Sequence, residues 1–254
     1  MTEESFQRLV AIMATLRSPD GCPWDREQTH ESLKPFLLEE AYEVLESLDQ
    51  KDFDSLREEL GDLLLQVVFH ARLAEEENRF GIVDVLQTII QKLIRRHPHV
   101  FGQTEIHTSE EQRVHWERLK KQEGKTSVLD GIPKSLPALL RAHRVQQKAS
   151  TVGFDWEAIE QVWKKVYEEI EELKTAIHSK NKKDMEEEFG DLLFAVVNLS
   201  RFIRVSPEDS LRLAVEKFTD RFRKLEETME ALGRDLKDAT LDEMDAVWDR
   251  IKHE

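Results

Sequence analysis

The chain has 254 residues, room for one large domain or two small ones, and its 35% charged and 39% hydrophobic residues suit helices with one buried stripe and one wet face. A formal net charge of −15 repels nucleic-acid backbones and acidic membrane surfaces, so neither is expected as a partner; a phosphate-bearing small molecule would need a divalent cation between it and the protein. No apolar run approaches the ~18 residues of a membrane span, and the single cysteine, Cys22, excludes an internal disulfide framework and fits a reducing cytoplasm.

Only seven prolines and nine glycines interrupt the chain. Met1 to Leu16 opens with Glu3 and Glu4 and mixes polar with apolar residues, which predicts an amphipathic helix rather than a signal peptide. The helical apolar period runs through Leu37 to Leu48, Leu56 to Leu73 and Ile82 to Ile94, with a helix start expected at Asp54. From Gly102 to Pro137 it is broken by Gly124, Gly131, Pro133 and Pro137, with one helix expected near Glu110 to Lys121. It resumes in Val162 to Ile177, Phe189 to Ile203 and Leu211 to Leu225, and Ser206-Pro207 reads as a second helix start. Strand-like alternation is absent. The expected fold is all-α: a helical-bundle domain over residues 1–123, a linker over 124–136 and a second bundle over 137–254.

The two halves repeat each other. Glu39-Glu40-x-x-Glu43 returns 129 residues later as Glu168-Glu169-x-x-Glu172. Glu59-x-x-Asp62 returns as Glu188-x-x-Asp191 at the same offset, inside Glu58-Glu59-Leu60-Gly61-Asp62 and Glu187-Glu188-Phe189-Gly190-Asp191. A shared register of four acids and a glycine points to a duplicated domain.

Within one copy, Glu40 and Glu43 stand i, i+3 on one helix, and Glu59 and Asp62 do so on the next. Glu40 lies roughly 80° from the centre of the apolar stripe of Leu37, Ala41, Val44, Leu45 and Leu48. Glu59 sits similarly beside Leu56, Leu60, Leu63, Leu64 and Val67. Two antiparallel helices packed through these stripes would crowd four carboxylates on one rim. Such crowding destabilises the fold unless a cation neutralises it, and oxygen-only ligands suit Mg²⁺ or Mn²⁺. The plain alternative is solvated surface acids, of which 52 acidic residues offer many, but chance does not repeat their register. Di-iron bundles carry Glu-x-x-His; here the i+3 partners are Glu43, Asp62, Glu172 and Asp191, never His.

The pair E-E-x-x-E and E-x-x-D, sixteen residues apart, resembles the MazG family of nucleoside triphosphate pyrophosphohydrolases in its two-domain form. The likeness extends to Asp20-Gly21-Cys22-Pro23-Trp24-Asp25, to Arg95-Arg96-His97-Pro98-His99-Val100-Phe101-Gly102 and to Val152-Gly153-Phe154-Asp155-Trp156. It implies tandem MazG-like bundles in a homodimer that uses Mg²⁺ to cut nucleoside triphosphates, ribo- and deoxyribo-, to monophosphate and pyrophosphate, as nucleotide-pool house-cleaning. It makes Glu169, Glu172, Glu188 and Asp191 the catalytic metal ligands, with Glu40, Glu43, Glu59 and Asp62 their counterparts. Glu168, Lys217, Arg221 and Trp248 fall where the family contacts the nucleotide. A narrower hydrolase preferring dUTP or dCTP, and a nucleotide-binding module without turnover, are the alternatives.

Cations distinguish the copies. Lys165, one turn before Glu169 on the same face, is placed to reach a phosphate; its counterpart is Phe36. The C-terminal copy is therefore expected to be the main catalyst, although Lys92 and Arg96 leave the first copy some positive charge. Salt bridging is the plain reading of Lys217 and Arg221, and packing that of Trp248. Cys22 reads as a small residue in a turn, and His97 and His99 as loop-structural residues or as phosphate or metal contacts. Asn198 reads as a substrate contact or a polar rim, and Gly61 and Gly190 as points of close helix approach.

Overall fold

A computed structural model describes residues 2–102, 108, 111 and 127–253. All regular structure among them is helical, as the apolar period predicts. The chain divides into two compact units, Met1–His107 and Thr108–Glu254. The helix expected near Glu110 to Lys121 lies, apart from Glu111, outside the described residues, as do the expected domain end at residue 123 and Gly124. No described helix is long and apolar enough to cross a membrane.

Unit 1 contains α1 (Thr2–Leu16), the short α2 (Pro23–Glu27), α3 (Lys34–Gln50), α4 (Phe53–Glu76), α5 (Ile82–Arg96) and the short α6 (Pro98–Phe101). Helices α3 and α4 form an antiparallel hairpin whose turn is explained by two residues. Lys51 takes the left-handed conformation at φ 57° and ends α3. Asp52 then caps α4, its side chain accepting from the backbone N–H groups of Asp54 and Ser55 at 3.0 and 3.2 Å. The cap thus stands two residues before Asp54, which contributes its charge to the first turn instead. Met13 of α1 and Val68, Phe69 and Leu73 of α4 meet Leu33 in the core, with Phe36 packed against them.

Unit 2 contains α7 (Ala138–Ser150), α8 (Ile159–Ser179), α9 (Lys182–Phe202), α10 (Pro207–Ala231) and α11 (Leu241–His253). The α8–α9 hairpin repeats the turn 129 residues on: Lys180 has φ 57°, and the Asn181 side chain accepts from Lys183 N–H at 3.1 Å. Ser206 caps α10 with Pro207 in its first turn, as the sequence predicts. Helix α7 packs on α9 and α10, and α10 on α11. The turn at Ser127 to Asp130 is fastened to α7, where buried Lys148 donates to the Asp130 carbonyl at 2.5 Å.

Two expectations change. The stripes assigned to the α3–α4 contact are wider than one partner can cover: Leu37, Leu45, Leu48, Leu60, Leu64 and Val67 stay 38–50% exposed. Gly61 and Gly190 do not serve close approach within the described chain, since a Cβ added at either meets no atom within 4 Å beyond the helix's own adjoining backbone.

Candidate metal and nucleotide site

The hairpin register brings the predicted carboxylates together in both units. Side-chain oxygens of Glu169 and Glu172 on α8 and Glu188 on α9 lie within 4.8 Å of one another, and those of Glu40, Glu43 and Glu59 do the same in unit 1. Asp191 and Asp62 stand one turn along the second helix of each pair, close enough for their charges to be felt. Partial desolvation, then the charges of Glu169 and Asp191, hold the Glu188 carboxyl above its ordinary 4.5. Glu172 is raised by desolvation and by Glu169. In unit 1, Glu40 is raised by desolvation and by Asp62, and Glu59 by desolvation and by Glu43. These groups resist being charged together, and an all-oxygen set at this spacing fits a hard divalent cation.

Among the described residues, only unit 2 adds a cation inside the cluster. Lys165 Nζ reaches both Glu168 and Glu169 at 2.7 Å, and these contacts raise its pKa. Glu168 is held below its usual range by the same bond. Glu169 is 4% exposed, so Lys165 balances a charge that water scarcely reaches.

Lys165, Glu169 and Asp191 form the charged end of a cavity of about 760 Å³. Its other walls come from α7, α9 and the loop that follows α7, with Phe154, Trp156 and Phe194 giving it a largely apolar lining. The loop is tied down by Arg201, whose guanidinium bonds Asp155 Oδ2 at 2.6 Å and Asn198 Oδ1 at 2.6 Å. Asn198 therefore stands on the cavity wall, one of the two roles open to it in the sequence. Gln146 of α7, also on the wall, was not singled out by the sequence; it is one polar residue on a predominantly polar helix, and only the fold puts it beside α9.

The other predicted contacts lie elsewhere in unit 2. Lys217, exposed, and Arg221, half-buried, are on α10, and Trp248 of α11 packs 5.2 Å from Phe218 and against the Leu225–Met229–Val247 cluster. None of the three lines the cavity. His97 Nδ1 donates to the Leu93 carbonyl at 2.7 Å, which favours its loop role. Cys22 sits in the turn before α2.

A duplicated helical unit with a carboxylate cluster at each hairpin, one of them opening on a cavity, defines the class as a tandem, all-α, carboxylate-rich fold. The MazG nucleotide pyrophosphohydrolase domain matches residues 28–101 and 157–225, one match in each unit. The chain belongs to this family. It is 51% identical over 250 residues to the nucleoside triphosphate pyrophosphohydrolase/pyrophosphatase MazG of Thermotoga maritima, covering 97% of this chain and 95% of that protein. It is 46% identical over 258 residues to the nucleoside triphosphate pyrophosphohydrolase of Escherichia coli K12, covering 98% and 97%. The uncharacterized protein YabN of Bacillus subtilis is 44% identical over 254 residues, which span 97% of this chain and 51% of YabN.

Proposed function

We propose that the unit 2 cavity hydrolyses nucleoside triphosphates, ribo- and deoxyribo-, to the monophosphate and pyrophosphate, with Mg²⁺, or Mn²⁺ in its place, held by Glu169, Glu172, Glu188 and Asp191. The enzyme class, nucleoside triphosphate pyrophosphohydrolase, follows from family membership. The observation that supports the location is the meeting of a carboxylate cluster, a lysine and an aromatic-lined cavity in unit 2. A divalent cation bound there supplies Lewis-acid polarisation of phosphoryl oxygens and lowers the pKa of a bound water. The chain's own residues do the rest. Lys165 exchanges its exposed Glu168 contact for a phosphate oxygen while Glu169 holds it in place. The apolar walls exclude water from the base, and Arg201 fixes the wall that carries Asn198.

Unit 1 keeps its four acids but has Phe36 where unit 2 has Lys165, so its role is weaker turnover, regulation or scaffolding. A second copy of the chain is the proposed partner. The exposed apolar faces of α5, with Ile89 and Ile90 at 41% and 52%, and of α10, with Phe218 at 55%, supply surface for it. Nucleotide-pool house-cleaning in a reducing cytoplasm fits the broad pocket and the single cysteine.

The test is pyrophosphate release from a panel of ribo- and deoxynucleoside triphosphates with Mg²⁺, comparing the parent with Glu172→Ala and Glu43→Ala. Losing a ligand should cost more than the ~10–100-fold typical of a residue behind the ligands, so Glu172→Ala should fall at least a hundredfold and Glu43→Ala little. The reverse pattern moves catalysis to unit 1, and turnover of dUTP or dCTP alone narrows the substrate. A parent inert toward every triphosphate overturns the reading.

A further inference from the structure

The Arg201 side chain of α9 is only 12% exposed, and its guanidinium serves two partners on the wall of the unit 2 cavity. Nη2 donates to Asp155 Oδ2 at 2.6 Å, and Nη1 donates to Asn198 Oδ1 at 2.6 Å. A guanidinium only donates, so the second bond fixes which way the Asn198 amide faces. Its oxygen is taken, and Nδ2 remains as a donor with no partner among the described residues. Asn198 is half-buried on the cavity wall, and this nitrogen is open to solvent rather than sealed in the fold.

The Asp155 bond orders another part of the same wall. Together with Phe154 N–H, which donates to the Ala149 carbonyl at 3.3 Å, it holds the loop after α7 at two adjacent residues. Phe154 is nevertheless 81% exposed and Trp156 44%, both on the cavity. Aromatic faces held out by a fixed loop suit a flat heteroaromatic ring, and a donor nearby suits a lone pair on the edge of that ring. Asn198 stands two turns past Asp191 on α9, about 10 Å along the helix axis. A nucleotide with its phosphates at the acids therefore lies with its nucleoside toward Asn198.

We infer that Asn198 is a base-contacting residue of the unit 2 cavity, its Nδ2 donating to the ring acceptor beside the glycosidic bond, N3 of a purine or O2 of a pyrimidine. The inference rests on the nucleotide reading of this site and adds to it the atoms that touch the base. Purines and pyrimidines carry that acceptor at the same place relative to the sugar, whereas their major-groove edges differ in donors and acceptors. One donor aimed there holds every common base, as a broad triphosphate substrate class requires. It penalises a base that lacks the lone pair at that position.

Two analogues of ATP isolate the contact: 3-deaza-ATP has N3 replaced by C–H, and 7-deaza-ATP carries the same change on the opposite edge. The parent should use ATP about tenfold better than 3-deaza-ATP in kcat/KM, the size of one hydrogen bond, and mainly through KM. It should use 7-deaza-ATP as well as ATP. Asn198→Asp keeps the shape and the bond from Arg201 but removes the donor, so its ratio of ATP to 3-deaza-ATP should fall to about one. A purely structural role, or the added charge alone, would slow both substrates equally and leave the ratio as it is in the parent. Equal use of ATP and 3-deaza-ATP by the parent, a matching loss with 7-deaza-ATP, or an undiminished ratio in Asn198→Asp overturns the inference. The parent comparison needs no variant, so a poorly folded Asn198→Asp would not remove the test. Should the full chain turn over no triphosphate, the pyrophosphohydrolase reading fails by itself. The relative affinity for AMP and 3-deaza-AMP, measured by calorimetry, then decides on Asn198: about tenfold in favour of AMP supports it, and parity refutes it.

Discussion

The two units carry the same hairpin, the same turn and the same acids, yet they use the space beside the acids in opposite ways. At three positions 129 residues apart the exchange is visible: Phe36 against Lys165, Leu65 against Phe194, and Phe69 against Asn198. In unit 1, Phe69 is 3% exposed in the core and Phe36 packs against it, with Trp24 edge-on to Phe36 at 5.8 Å. In unit 2 the same positions line the cavity. The loop is fastened differently too. Arg201 ties it in unit 2, whereas its counterpart Arg72 pairs along its own helix with Glu75 and Glu76. Unit 1 relies on Arg17 instead, which lies 5.5 Å from the Phe69 ring centre, donates to the carbonyls of Asp25 and Gln28, and pairs with Glu76 at 2.7 Å. A duplicated site can thus retain its charges while aromatic side chains turn its binding space into core.

The largest expected effect comes from reopening that core. Phe69→Ala should destabilise unit 1 by about 3–5 kcal/mol, the usual range for a buried phenylalanine, seen as a downward shift of the unit 1 transition in a calorimetric trace. Triphosphate turnover by unit 2 should survive at temperatures where unit 1 remains folded. Turnover lost while unit 1 stays folded would place catalysis in unit 1. The converse change, Asn198→Phe, fills the cavity rather than a core. It should lower kcat/KM by roughly a hundredfold, about 2.7 kcal/mol of transition-state binding, with little change in thermal stability. Unchanged turnover would mean that the nucleotide does not use this cavity.

The Arg17–Glu76 contact gives a smaller effect with a defined pH dependence. Hydrogen bonds from Arg17 hold the Glu76 carboxyl below its ordinary 4.5. On acidification the unfolded chain takes up that proton first, so the contribution is full above pH 4.5 and fades as pH falls through the lower folded value. Arg17→Met should therefore cost about 2 kcal/mol at neutral pH, and the gap to the parent should narrow in acid. A gap that is constant with pH would assign the effect to packing over Phe69 rather than to the ion pair.

These contrasts were unequally legible in the sequence. The six strongly periodic stretches all became helices, and the acid clusters formed where i, i+3 spacing on paired helices put them, because both follow from helix geometry alone. Lys165 was legible for the same reason: it is one turn from Glu169 on a single helix. Helix α7 was not foreseen, since Arg141, Arg144, Gln146, Gln147 and Lys148 dilute its apolar stripe and its burial depends on α9 and α10. With α7 went Gln146. The cavity itself was illegible, because it is bounded by elements distant in the chain, from Leu129 to Arg201.

The two glycines offer the mildest test, and it addresses what the units still share. Gly61 and Gly190 lie inside α4 and α9, where glycine costs about 1 kcal/mol relative to alanine. Beyond the helix's own adjoining backbone, no atom of the described chain stands within 4 Å of an added Cβ at either position. Next to Gly190, Phe189 and Leu193 are 54% and 42% exposed, so this face is apolar and uncovered within the chain. If a second copy packs there, the missing Cβ serves that contact. Gly190→Ala should then raise the thermal midpoint at dilution by the equivalent of about 1 kcal/mol while weakening self-association in concentration-dependent sedimentation. Stabilisation with unaltered association would show that the α9 face meets only water, and would move the expected dimer contact to another surface, such as the apolar side of α10.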